Sequence, residues 1–183
     1  MRHFDELCAK LNAKTDRDIA YVSLSRAMAR SFAESFRKSI DAPSCYKIFD
    51  EDNREQSRKY IDVIPSDKEG NDTTQGPWSD ADMQFDQEGF FLFSLYVTLE
   101  HAPQAYPKRR FKIPCGLCPI DKYHCNIFIG EREDKAFFKE FSWQNNAQLQ
   151  VNGPEEHICS ILAEYLDATP YGNSSKIKSI GFV

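Results

Sequence analysis

Apolar residues recur at helical spacing through the first part of the chain, and the recurrence predicts two helices. Phe4, Leu7, Cys8 and Leu11 fall on one face of a short segment over Arg2 to Leu11. Thr15 or Asp16 is placed to cap a second, longer helix reaching about Ile40, on which Tyr21, Leu24, Met28, Phe32 and Phe36 form an apolar stripe. Arg26, Arg30 and Arg37 project from nearly the opposite side, so the stripe should pack on a sheet. Asp41-Ala42-Pro43 ends the helix, because proline disfavours helical geometry in the residue before it and donates no backbone hydrogen bond.

Beyond Pro43 the pattern changes to strands. Tyr46 to Phe49 and Tyr60 to Ile64 read as strands separated by the charged run Asp50 to Lys59. Phe90 to Glu100 is a nearly continuous apolar run, interrupted by Ser94 and Thr98, and predicts a central strand covered on both faces. After a Pro-flanked turn at Ala102 to Pro107, Arg109 to Ile113 and Tyr123 to Ile129 are expected to pair antiparallel. Phe137 to Trp143 and Gln148 to Val151 are short elements of ambiguous type. Gly153-Pro154 opens a helix with Ile158, Ile161, Leu162, Tyr165 and Leu166 on its buried face, and Lys176 to Val183 returns as a last strand. N-terminal helices packed on a mainly antiparallel sheet, followed by a C-terminal helix and a final strand, define an α+β fold.

Length and composition narrow this picture. A chain of 183 residues with 41% hydrophobic content matches a single domain over 1–183 with one sizeable core. Fourteen Phe and eight Tyr favour strands and large packed side chains, and exclude disorder throughout. The first residues carry acids where a secretory signal needs bases and then an apolar run, and Phe90 to Leu99 is about half the length of a membrane span. Without such a signal, six cysteines read as reduced thiols, and the expected location is cytoplasmic with no membrane partner.

Charge is segregated along the chain. From Ser66 to Glu100 there are eight acids and one base, whereas His101 to Gly130 holds five bases and one acid. The long loop over 66–88 therefore has an acidic character suited to a basic protein surface, or to mimicry of nucleic-acid charge. Its candidate partner-binding residues are Trp78, Asp80, Asp82, Phe85, Asp86 and Glu88: the carboxylates steer the encounter and the rings supply apolar contact. A calcium reading of the alternating acids lacks the mid-loop glycine, because Phe85 occupies that position.

The alternative site is basic. Strand alternation puts Lys108, Arg110 and Lys112 on one face, and with His124 they form a candidate phosphate- or nucleotide-binding set. Cys115-Gly116-Leu117-Cys118 permits a zinc site completed by a Cys or His from each of His124-Cys125 and His157-Ile158-Cys159, but no second close cysteine pair stands at the standard separation, so small buried or half-buried thiols are the plainer reading. A redox role needs the first cysteine at a helix N-terminus, and the flanks of this motif read as strand and turn. Asp62 and Glu100 are the nearest approach to nuclease carboxylates, with no lysine following at the needed alternation. No nucleophile elbow, glycine-rich phosphate loop or dinucleotide fingerprint is present. The sequence thus favours a non-catalytic interaction protein, such as an inhibitor, immunity-type or regulatory domain, over a phosphate-directed enzyme or binder.

Overall fold

The computed structural model describes residues 2–49, 52–102, 106–131, 135–142, 153–167 and 181–182. The fold is α+β: a long N-terminal helix packs on one face of an antiparallel sheet, and a second helix follows the main run of strands. Helix α1 is continuous over Arg2–Ser39, 38 residues, and replaces the two helices expected from the sequence. Thr15 caps nothing. Its hydroxyl donates back to the Leu11 carbonyl at 3.0 Å, four residues earlier, which is a helix-interior arrangement. Lys14 and Asp18 pair one turn apart across the supposed break. The helix ends where Arg37 Nη1 donates to the Ala42 carbonyl at 2.6 Å and Asp41 turns to a φ of 52°.

Strands β1 (Cys45–Phe49) and β2 (Glu55–Lys59) form a separate two-stranded ribbon, with Cys45 opposite Lys59 and Phe49 opposite Glu55. β2 lies inside the run expected to be a charged connection. Its sequence, Glu-Gln-Ser-Arg-Lys, is exposed at every position, so no apolar alternation betrays it. The ribbon is tied down by the Tyr46 ring against Tyr60, centroids 5.0 Å apart, and by Tyr106 donating to the Lys47 carbonyl.

The main sheet is built on β5 (Phe91–Leu99), which lies between β3 (Ile61–Pro65) and β6 (Arg109–Pro119). β6 then pairs with β7 (Cys125–Ile129), and β7 with β8 (Ala136–Phe141). Short β4 (Gln84–Phe85) also pairs with β5, and β9 (Gly181–Phe182) pairs with the first part of β6. β6 is longer than the expected Arg109 to Ile113. It is Cys115 to Pro119 that pairs with β7, while the preceding residues pair with β5 and β9. The expected elements over Gln148 to Val151 and most of Lys176 to Val183 lie outside the described residues.

Alternation divides this sheet into two chemically different faces. Phe91, Phe93, Leu95 and Val97 of β5, with Phe111, Ile113, Cys115 and Leu117 of β6, join Met28, Ala29, Phe32 and Phe36 of α1 in the buried core. Helix α2 (Pro154–Asp167) adds Ile158 and Leu162 to that core, with Ile161 and Tyr165 packed against it; Leu166, expected on the same face, is 53% exposed. On the other face Phe128 lies across Gly116, where an added Cβ would come within 2.1 Å of the ring. Gly116→Ala should therefore lower stability in urea denaturation by about 1–3 kcal/mol, the usual cost of overpacking. Truncating the ring as well, in Gly116→Ala/Phe128→Ala, should give a loss smaller than the sum of the two single changes.

Candidate functional site

The outer face of the sheet, opposite both helices, carries hydroxyls and cations in register. Ser94, Tyr96 and Thr98 alternate along β5, and Thr98 stands opposite Arg110 while Tyr96 stands opposite Lys112. Asp72, from the 66–88 loop, bends over them. It accepts from Ser94 Oγ at 3.1 Å and from the Tyr96 hydroxyl, and pairs with Lys112 Nζ at 2.9 Å. Burial, and then the bond to Asp72, push the Tyr96 hydroxyl well above the ordinary tyrosine range, so it stays a donor. Its ring supports the Arg110 guanidinium, whose carbon lies 3.8 Å from the ring centroid.

A second polar group closes one end of this face. Lys108 Nζ pairs with Glu100 and donates to the Tyr60 hydroxyl at 3.0 Å, and it sits 5.1 to 5.2 Å from the ring centroids of Tyr46, Tyr60 and Tyr106. Burial pulls this ammonium's pKa down, but the bonds from Glu100 and Tyr60 outweigh it and hold it above the ordinary value. Lys108 is thus committed to an internal contact. Towards the other end a cleft of about 430 Å³ opens over Leu92, Pro114 and Phe128, with Lys112, Lys135 and Lys68 on its walls beside Asp67, Glu69, Asp86 and Glu131. That volume lies within the range of small-molecule sites.

The expected phosphate-binding set is only partly assembled. Lys108, Arg110 and Lys112 share the outer face, as alternation requires, with Phe111 and Ile113 buried on the other. His124 does not join them. It sits past the far end of the 11-residue β6, with its Nδ1 3.0 Å from Asp121 Oδ2 in the hairpin turn. At about 3.3 Å per strand residue this puts it roughly 30 Å from Arg110.

The acidic loop turns most of its candidate residues inward. Asp80 pairs with Arg26 at 2.7 Å, Asp82 accepts from Ser79 N at 2.7 Å, and Asp86 accepts from the backbone of Glu88 and Phe90, each at 2.9 Å. Trp78 donates to the Val63 carbonyl at 2.8 Å beneath Arg30, and it packs on the core together with Phe85. Glu88 remains exposed. These acids thus hold turns and a helix contact that the loop needs in order to be ordered.

No set of three or more metal-ligating side chains converges among the described residues. Cys115 is 2% exposed in the core, and Cys118 lies 3.3 Å from the Tyr21 hydroxyl. Both stand within a strand, which lacks the turn that brings two sulfurs three residues apart onto one ion. The His157 ring lies tilted against Phe138, centroids 5.8 Å apart, and burial pulls its pKa down. Asp62 accepts from Val63 N at 3.0 Å, and Glu100 is engaged with Tyr60 and Lys108.

No family model matches this chain, and comparisons with curated proteins and with solved structures return no match. The site is therefore read from its own chemistry. Asp72, Ser94, Tyr96 and Thr98 escaped the sequence reading because the two hydroxyls registered only as interruptions of an apolar run. Their two-residue period was the signal.

Several buried groups resist ionisation, which fixes a pH dependence. Burial raises the Cys125 thiol from 9.0 to about 12, and raises Cys115, Tyr21 and Tyr96 as well. The unfolded chain loses these protons first, so the stability gained by keeping them neutral is complete below about pH 9 and is lost as pH climbs towards 12. Thermal melting should show a Tm that is flat from about pH 7 to 8.5 and falls steadily by about pH 10.5. In native protein a thiol reagent should modify exposed Cys45 and Cys159 before Cys115 or Cys125.

Proposed function

We propose that this chain is a non-catalytic protein-interaction domain whose docking element is the N-terminal half of α1. The observation that carries this reading is exposure: every residue from His3 to Ala20 faces solvent, apart from half-buried Cys8. Phe4, Leu7 and Leu11 are 70%, 63% and 63% exposed, yet with Cys8 they occupy positions i, i+3, i+4 and i+7 of one helical face. That is the anchor spacing of a helix laid into an apolar groove of a partner. At seven-residue steps this face is separated from the core stripe by exposed Thr15 and Asp18, before Val22, Ser25, Ala29, Phe32 and Phe36 follow in the same register. A groove that covers the stripe gains apolar burial.

The acidic loop was the expected docking surface, but its carboxylates are largely spent on internal bonds, whereas the helical stripe is held by nothing among the described residues. Leu7→Asp/Leu11→Asp should change folding stability by no more than about 0.5 kcal/mol, because both sites are exposed. A photo-crosslinker placed at Ala9, beside the stripe, should join the chain to one saturable protein partner, and the double variant should abolish that adduct. Sedimentation of the purified chain separates a foreign partner from a second copy. A monomeric chain with no stripe-dependent adduct would end this reading.

A further inference from the structure

We infer that Arg110 and Thr98, with Lys112 beside them, form a binding site for a phosphate group on the outer face of the sheet. This goes beyond the docking helix and involves none of its residues. Two atoms carry the inference. Thr98 Oγ1 and Arg110 Nε are both buried, and neither has a hydrogen-bond partner among the described residues. They belong to residues directly opposite each other in the β5–β6 register, so two adjacent strands each bring an unused polar group to the same face of the sheet. Thr98 is 3% exposed. A buried polar atom left unpaired is costly, and a fold that keeps two together has use for a group that bonds to both.

The surroundings fit an oxyanion. The Arg110 guanidinium carbon sits 3.8 Å from the Tyr96 ring centroid, and the Tyr96 hydroxyl is fixed in turn by Asp72, so the cation is seated before any ligand arrives. Arg110 makes no ion pair among the described residues. The carboxylates described on β3, β5 and the loop over this face have other partners: Asp72 binds Lys112, Ser94 and Tyr96, Glu100 binds Lys108 and Tyr60, and Asp62 accepts from the Val63 amide. Among the described residues Arg110 is thus a cation of this face that no acid cancels.

The number of donors selects the anion. Arg110 offers Nε–H and a terminal N–H, Thr98 a hydroxyl, and Lys112 an ammonium that Asp72 only partly occupies. A carboxylate has two oxygens, which the arginine fork alone would satisfy; the three terminal oxygens of a phosphate or phosphate monoester use the remaining donors as well. Lys112 also lines the cleft over Pro114 and Phe128, so the organic part of an ester has space along β6.

The test titrates the intact protein with inorganic phosphate and with phenyl phosphate at constant ionic strength, against chloride and acetate. The readouts are the Arg110 Nε–H resonance in a proton–nitrogen correlation spectrum and the Tm. Both phosphate probes should move that resonance saturably and raise the Tm, whereas chloride should do neither. Arg110→Gln and Thr98→Val should each weaken binding by about tenfold or more, since each removes a hydrogen bond to a charged group. Without phosphate, Thr98→Val should raise the Tm, because it deletes an unpaired buried hydroxyl. Lys122→Gln, on the β6–β7 hairpin, should bind as the parent does. An Arg110 resonance that no phosphate probe shifts would overturn the site even if both variants failed to fold, and a response to acetate equal to that to phosphate would overturn the phosphate assignment. Neither result bears on the stripe-dependent adduct of α1.

Discussion

Everything else in this molecule rests on the contact between one helix and one face of one sheet. Met28, Phe32 and Phe36 of α1 enter a core with Phe91, Phe93 and Leu95 of β5, all 1% exposed or less. A sheet has two faces, and here both helices add to the same one. The inner face can therefore be uniformly apolar, while the outer face must satisfy polar groups with no helix over it among the described residues. The chain meets that requirement with side chains: hydroxyls on alternate positions of β5, lysine and arginine on alternate positions of β6, and one loop aspartate drawn over both.

A recurrent device on that outer surface is a cation seated on an aromatic ring. Arg110 rests on Tyr96, Lys108 among three tyrosines, and Lys135 on Phe128 at 4.0 Å. Each seat lets a long charged side chain cover ring surface that would otherwise meet water, and fixes a charge that would otherwise wander. The seats differ in what else they hold. Lys108 has a carboxylate as well, whereas Arg110 and Lys135 have the ring and no ion pair among the described residues.

The parts legible in sequence were those where burial imposes a period. β5 announced itself by a continuous apolar run, and the Lys108, Arg110, Lys112 face followed from simple alternation around buried Phe111 and Ile113. Where burial imposes nothing, the sequence was silent or misleading. β2 is exposed at every position, and the extension of β6 is disguised by Pro114, Gly116 and Pro119, residues that ordinarily mark turns. Thr15-Asp16 looks like a cap, because the same hydroxyl can bond forward at a helix start or backward in a helix interior, and only the continuing turns decide. His124 was grouped with the basic strand by charge alone; the length of β6 separates them.

The unbroken length of α1 also has a mechanical meaning. From Phe4 to Tyr21 the helix advances about 26 Å at 1.5 Å per residue. The outermost described tether is the Tyr21 hydroxyl, which donates to the Gly89 carbonyl at 2.7 Å. A sideways force applied near Phe4 thus acts through a long rigid arm on a fulcrum of one hydrogen bond and the first core contacts behind it. A partner bound there as proposed would hold the sheet at a stand-off set by the length of the helix.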